Sequence, residues 1–355
     1  MQQVNKQKQL MTTIDKTLLT ANLFDGFWDR WIVHGVEIDD LAKIRSSILT
    51  KEQWINSWQN LAIQKHTEAK VLEAMNQNVD AELKYRTAGL YYHLIQWLIP
   101  EDSDEKLDWL NKSVMNFHKA DQLSEIKTSY DLFEIEGSLY FGRVRIPTNP
   151  KGLVIIINPL DSTKEELFSY EMDFVNKGLI TVSFDGPGQG QTFTYMGVQG
   201  TRCLWERFVD KLIDYATEKF PHYPINLFGT SSGAAWSIYG SCNPKVNKVT
   251  AVSPGFLTED IKLPDYFIER TQFILEEENI LPAYDRLTYQ SPVLLVHGKI
   301  DVMVSDKDIY DLYKYLPEGK RFLEFEDEGH CCNYKLPEIR QIATDWFLEN
   351  KEETK

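Results

Sequence analysis

At 355 residues the chain has room for one large α/β domain and a smaller companion, and its 43% hydrophobic and 26% charged residues are those of an ordinary globular protein. A net charge of −15 argues against nucleic acid and anionic membrane surfaces as partners, and no apolar run approaches the roughly 20 residues of a membrane span. The polar first 20 residues lack the apolar stretch of a signal peptide, and Cys203, Cys242, Cys331 and Cys332 form no C-x-x-C pair, so a cytoplasmic location is expected.

Up to about residue 125 the apolar residues recur at helical spacing and β-branched runs are absent. Phe24, Phe27, Trp28 and Trp31 form one aromatic stripe, Trp54 and Trp58 an i,i+4 pair, and Leu90, Leu94, Trp97 and Leu98 another stripe that Pro100 closes. These aromatics read as helix-packing core, which makes 1–125 an N-terminal helical domain. From 126 to 355 strands alternate with helices. Segments 130–135 and 139–146 flank Glu136-Gly137 as a hairpin. The runs 153–158 and 179–184 are continuously apolar, as expected of strands covered on both faces. An amphipathic helix carries Leu204, Phe208, Leu212 and Ala216. Further strands fall at 225–228, 249–252, 293–296 and 322–325. This alternation predicts a mostly parallel sheet with helices on both faces.

The strand at 225–228 runs directly into Gly229-Thr230-Ser231-Ser232-Gly233, a G-x-S-x-G pattern that opens a helix. A sharp strand-to-helix turn of this kind lifts a serine hydroxyl clear of the sheet, and the helix N-terminus adds positive potential where negative charge develops. A serine needs a base. Of seven histidines only His330 follows a predicted last strand and precedes a C-terminal helix. His34 and His93 lie on helical stripes and read as core or surface residues, and His297 as locally packed. Asp301, just past the strand at 293–296, supplies a carboxylate to orient the imidazole, in the chain order Ser231, Asp301, His330. An oxyanion site needs two backbone N–H groups: one from Ser232, the other from the loop Asn158-Pro159-Leu160-Asp161-Ser162. Pro159 has no N–H, so Leu160 is the first choice and Asp161 the second.

The run Asp185-Gly186-Pro187-Gly188-Gln189-Gly190 fails G-x-G-x-x-G and reads as a shaped loop at the sheet edge. His330-Cys331-Cys332 lacks the spacing of a zinc site. No cofactor and no metal are expected, and the expected partner is a small-molecule substrate. A choice between monomer and homodimer stays open.

Three runs, 159–166 (Pro-Leu-Asp-Ser-Thr-Lys-Glu-Glu), 185–190 and 229–233, together resemble the FrsA-like α/β-hydrolases. Within these they are most similar to the group of 2,6-dihydroxypseudooxynicotine hydrolases and fungal polyketide-shortening hydrolases. Phe27-Trp28-Asp29-Arg30-Trp31 and Tyr91-Tyr92-His93 extend the resemblance across nearly the whole chain. It implies a helical cap (1–125) over a hydrolase core (126–355), and a triad that hydrolyses a ketone-adjacent carbon–carbon bond or an ester. Ser231 takes the nucleophile's place, Asp301 the acid's and His330 the base's. Members of the group usually carry Gly-Gly where this chain has Asn158-Pro159, and some use a further carboxylate, which has no assigned position here. An acyltransferase, cyclase or thioesterase on the same fold is the alternative within the class. A catalytically silent binding or regulatory protein is the alternative outside it.

Overall fold

A computed structural model describes residues 11–256 and 263–349. Its first third is helical: α1 (Thr13–Leu23), α2 (Asp29–Val33), α3 (Ile38–Ile44), α4 (Lys51–Ala74), α5 (Asn78–Leu98) and α6 (Asp104–Leu123). Thr12 and Thr50 close capping boxes that satisfy the first amides of α1 and α4. Helix α5 stops two residues before Pro100, whose ring disfavours helical geometry in the residue preceding it.

Trp28, Trp31, Trp54, Trp58 and Trp97 form the centre of the core of this helical part. Trp28 stacks on Trp54 with ring centroids 5.6 Å apart, and the indole N–H groups of both find backbone carbonyls, at Ala21 and Leu94. The aromatic stripe is broken at its start. A 3-10 turn at Asp25–Phe27 rotates the chain, so Phe24 is 61% exposed while Phe27, Trp28 and Trp31 are buried.

The remainder alternates as expected: β1 (Lys127–Ile135), β2 (Ser138–Ile146), β3 (Gly152–Ile157), α7 (Phe168–Asn176), β4 (Leu179–Phe184), α8 (Gly190–Met196) and α9 (Arg202–Lys219). Then follow β5 (Ile225–Thr230), α10 (Ser232–Gly240), β6 (Val246–Val252), α11 (Asp265–Ile274), β7 (Val293–Gly298), α12 (Asp306–Tyr315), β8 (Arg321–Phe325) and α13 (Leu336–Leu348). The hairpin turns at Glu136 and Gly137, both at positive φ, the geometry whose twist matches paired strands.

The eight strands lie in the order β1-β2-β4-β3-β5-β6-β7-β8. β2 is antiparallel to both its neighbours and the strands from β4 to β8 are parallel. From β3 the chain moves first to β4 on one side, then crosses to β5 on the other. The loops after β3 and β5 therefore diverge at a switch point on the C-terminal edge of the sheet, where open α/β sheets leave a crevice. Among the described residues no helix is long and apolar enough to cross a membrane.

Candidate active site

Ser231 sits on that edge, between β5 and α10, at φ 54° and ψ −125°. A non-glycine residue at positive φ is strained, and here the packing on both sides enforces it. A Cβ on Gly229 would collide with the Gly233 carbonyl, and one on Gly233 with the Ile157 carbonyl. Only glycines let the turn close this tightly. The Ser231 amide is held by the Val252 carbonyl at 2.9 Å, and its own carbonyl by the Gly255 amide at 3.1 Å.

The three residues singled out from widely separated loops converge here. His330 Nε2 lies 2.8 Å from Ser231 Oγ, and His330 Nδ1 lies 2.8 Å from Asp301 Oδ2. The Asp301 side chain is fully buried and its other oxygen accepts the amides of Met303 (2.8 Å) and Val304 (3.0 Å). Burial opposes its charge, but the His330 hydrogen bond and those amides outweigh it and hold the carboxyl below its usual range. An ionised Asp301 accepts the Nδ1 proton, which leaves Nε2 free to take the serine proton. Burial likewise opposes the imidazolium. The Cys331 sulfur and Asp301 prevail, and His330 titrates well above the ordinary histidine value. Cys331 and Cys332 continue from His330 at positive φ, and the Cys331 amide is tied to Ser253 Oγ at 3.1 Å.

The second loop arrives from β3. The Leu160 N–H points at the serine turn and donates to Ser232 Oγ at 2.6 Å. Asp185-Gly186-Pro187-Gly188-Gln189 proves to be the brace of this loop. Gln189 Nε2 donates to the carbonyls of Asn158 (3.2 Å) and Pro159 (2.8 Å), while its Oε1 accepts the Gly186 amide at 2.9 Å.

Sequence reasoning passed over the polar groups that sit above this edge. Arg30 of α2 pairs with fully buried Glu166 through Nε (2.6 Å) and Nη2 (2.7 Å), and Nη2 also reaches the Asp161 carbonyl at 2.7 Å. His34 Nδ1 stands 2.8 Å and His93 Nε2 3.6 Å from the same carboxylate. Burial favours protonation of Glu166, but Arg30 holds it well below the usual carboxylate range. Helical periodicity places His34 and His93 inside α2–α5 and cannot show that they face a loop 70 or more residues away. The signal available was the pair of runs at 27–31 and 159–166, which carry Arg30 and Glu166.

A serine, an imidazole and a buried carboxylate in hydrogen-bonded series, beside an amide aimed at the same turn, on a sheet of this topology, are the arrangement of the α/β-hydrolase fold. The chain has that fold, and the proteins it resembles over most of its length are hydrolases. It is 28% identical over 346 residues to the 2,6-dihydropseudooxynicotine hydrolase of Paenarthrobacter nicotinovorans, with 91% of each chain covered. To the 20-hydroxy-prefusarin hydrolase of Gibberella moniliformis it is 26% identical over 238 residues, which span 61% of this chain and 56% of that one. The crystal structure of a 2,6-dihydroxy-pseudo-oxynicotine hydrolase superposes with a TM-score of 0.77 at 24% identity, covering 90% of this chain and 95% of that one. No protein-family model matches the chain.

Proposed function

We propose that the protein is a serine-dependent hydrolase cleaving a ketone-adjacent C–C bond or an ester of a small aromatic or polyketide-like substrate through an acyl-Ser231 intermediate. The observation that carries this reading is His330 bridging Ser231 and Asp301 at 2.8 Å on either side. Ser231 Oγ attacks the substrate carbonyl as its proton passes to His330 Nε2. The amides of Ser232 and Leu160 receive the charge that develops on the carbonyl oxygen. That oxygen takes over the Leu160 N–H from the Ser232 hydroxyl. His330 then gives its proton to the leaving group, an alcohol or a carbanion stabilised by an adjacent ketone or phenol. The same imidazole draws a proton from water, which attacks the acyl group and frees Ser231.

The substrate class rests on the relatives, which act on 2,6-dihydropseudooxynicotine and 20-hydroxy-prefusarin. In this reading residues 1–125 cap the site and residues 126–355 carry the chemistry. Four free cysteines suit a cytoplasmic setting. The test is labelling of the full chain by a fluorophosphonate, followed by a screen of aryl esters, thioesters and aryl diketones. The reading requires stoichiometric labelling that maps to Ser231, with turnover in at least one of the three classes. A wild-type protein that neither labels nor turns over would make the silent binding protein the better account. Rapid-quench mass analysis with added hydroxylamine tests the covalent route, which predicts a transient adduct on the Gly229–Gly233 peptide and partitioning to hydroxylamine.

A further inference from the structure

Four residues, Pro159 to Ser162, form the turn that carries the Leu160 amide, closed by the Ser162 N–H on the Pro159 carbonyl at 3.1 Å. Its third residue, Asp161, stands at φ 62°. Turns with positive φ at that position favour glycine or asparagine, and another side chain there costs on the order of 1 kcal/mol or more. An aspartate holds such a position where its carboxylate makes contacts that offset the strain.

The contacts come from two remote elements. Trp97 Nε1 of α5 donates to Asp161 Oδ2 at 2.9 Å. Arg270 of α11 donates to both carboxylate oxygens, at 3.2 Å and 3.0 Å, while its Nη2 holds the Trp97 carbonyl at 2.6 Å and its guanidinium lies 4.0 Å above the Trp97 ring. Arg30 of α2 fixes the carbonyl of the same residue. Arg270 and Trp97 are almost wholly buried, so these bonds are little weakened by water. Asp161 thus fastens the residue that follows Leu160 to helices outside the sheet, and the Leu160 N–H is the amide aimed at the serine turn.

We propose that Asp161 is a positioning residue for the oxyanion site: its carboxylate, held by Trp97 and Arg270, sets the direction of the Leu160 N–H. Docking of the helical segment and of α11 then completes the site that stabilises the transition state. This rests on the serine-hydrolase reading above.

The experiment compares full-length Asp161→Gly, Asp161→Asn and Trp97→Phe with wild type on whichever ester the substrate screen identifies. Asp161→Gly relieves the strained φ and removes the anchor, so it separates anchoring from backbone preference. Expected is a fall in kcat of about 100- to 1,000-fold for Asp161→Gly, the range for loss of an oxyanion donor. KM should stay within about threefold, the mark of an interaction made only in the transition state. Affinity for a trifluoromethyl ketone, which forms a tetrahedral adduct on the serine, should fall in parallel with kcat. Asp161→Asn, which keeps an acceptor for the indole, should retain more activity than the glycine variant. Trp97→Phe, which keeps the ring under Arg270, should lower kcat and ketone affinity together to a smaller degree, and it serves if the Asp161 variants fold poorly. Unchanged kcat and ketone affinity in Asp161→Gly, or in Trp97→Phe where the former does not fold, would overturn the proposal, as would a rise in KM alone. Activity surviving in Ser231→Ala would instead overturn the underlying reading, so the two failures are distinguishable.

Discussion

Ser231 and Ser232 are neighbours with opposite surroundings. Only Ser231 Oγ meets His330, whereas Ser232 Oγ accepts the Leu160 amide. Ser231→Ala is therefore expected to lose about 10⁴-fold or more in kcat while folding normally. Ser232→Ala should keep its activity and gain up to about fivefold in kcat/KM, because a hydrogen bond worth about 1 kcal/mol no longer competes with substrate for the Leu160 N–H. Steady-state kinetics on both variants separates the assignments, and the reverse ranking would refute them. His330 gives a pH signature. Its raised pKa keeps the base protonated, so the rate should climb as pH rises through a value above the ordinary imidazole range. Removing the Cys331 thiol by Cys331→Ala should move that ascending limb of the kcat/KM profile to lower pH, and a limb that stays put would count against the sulfur's influence. The placement of Ser231, Asp301 and His330 was legible in the sequence because each follows a strand that periodicity reveals, in an order the fold dictates. Asp161 was legible only as a second-choice amide donor. The role of its carboxylate depends on Trp97 and Arg270, 64 residues before it and 109 after it.

At the scale of elements, β3, the serine turn and α10 form one close-packed unit. Gly233 at the start of α10 lies directly beneath the Ile157 carbonyl at the end of β3. A methyl group there has no flexible side chain to push aside, so Gly233→Ala must separate β3 from α10 and shift the loop bearing Leu160. Overpacking of this kind costs about 1–3 kcal/mol, and urea denaturation should show a lower midpoint at unchanged slope, with kcat falling alongside. A variant as stable and active as wild type would mean that the turn tolerates more room than its contacts imply. The strands were readable from their continuous apolar runs, since a buried parallel strand has no polar face to obscure the pattern. The start of the helical segment was not fully readable, because four aromatics at helical spacing cannot show that Asp25–Phe27 is a 3-10 turn that exposes Phe24. Arg143 and Arg145 on β2 are a second feature that the sequence pattern does not reveal. They are fully buried, and their charges are met by Glu171 of α7 and Asp121 of α6. Two arginines at alternate positions of a strand otherwise suggest a solvated face.

Across the whole molecule, the helical segment meets the sheet through charges as well as apolar surface. Arg30 and Glu166 sit at the centre of that meeting, with His34, His93 and Tyr170 around the carboxylate and Arg340 nearby. Removing one member of a buried pair leaves the other uncompensated, so Arg30→Met is expected to destabilise the fold by about 3–5 kcal/mol. The pH dependence should also become shallower. In the wild type, burial is the chief cause of a lowered His34 pKa, with Arg30 adding to it and Glu166 opposing it. A histidine depressed in the folded state binds its proton more readily unfolded, so this group's contribution to stability is present above its unfolded pKa and is lost as pH falls. Without Arg30 one of the charges that lower the His34 pKa is gone, while burial and Arg340 still lower it and Glu166 still opposes them. The folded-state pKa then lies nearer the unfolded value, so less of this stability is lost as pH falls. Urea midpoints measured between about pH 5.5 and 7.5 should thus rise less steeply with pH in Arg30→Met than in the wild type. Parallel trends in the two proteins would show that burial alone governs His34, and that Arg30 acts on Glu166 without reaching the histidine.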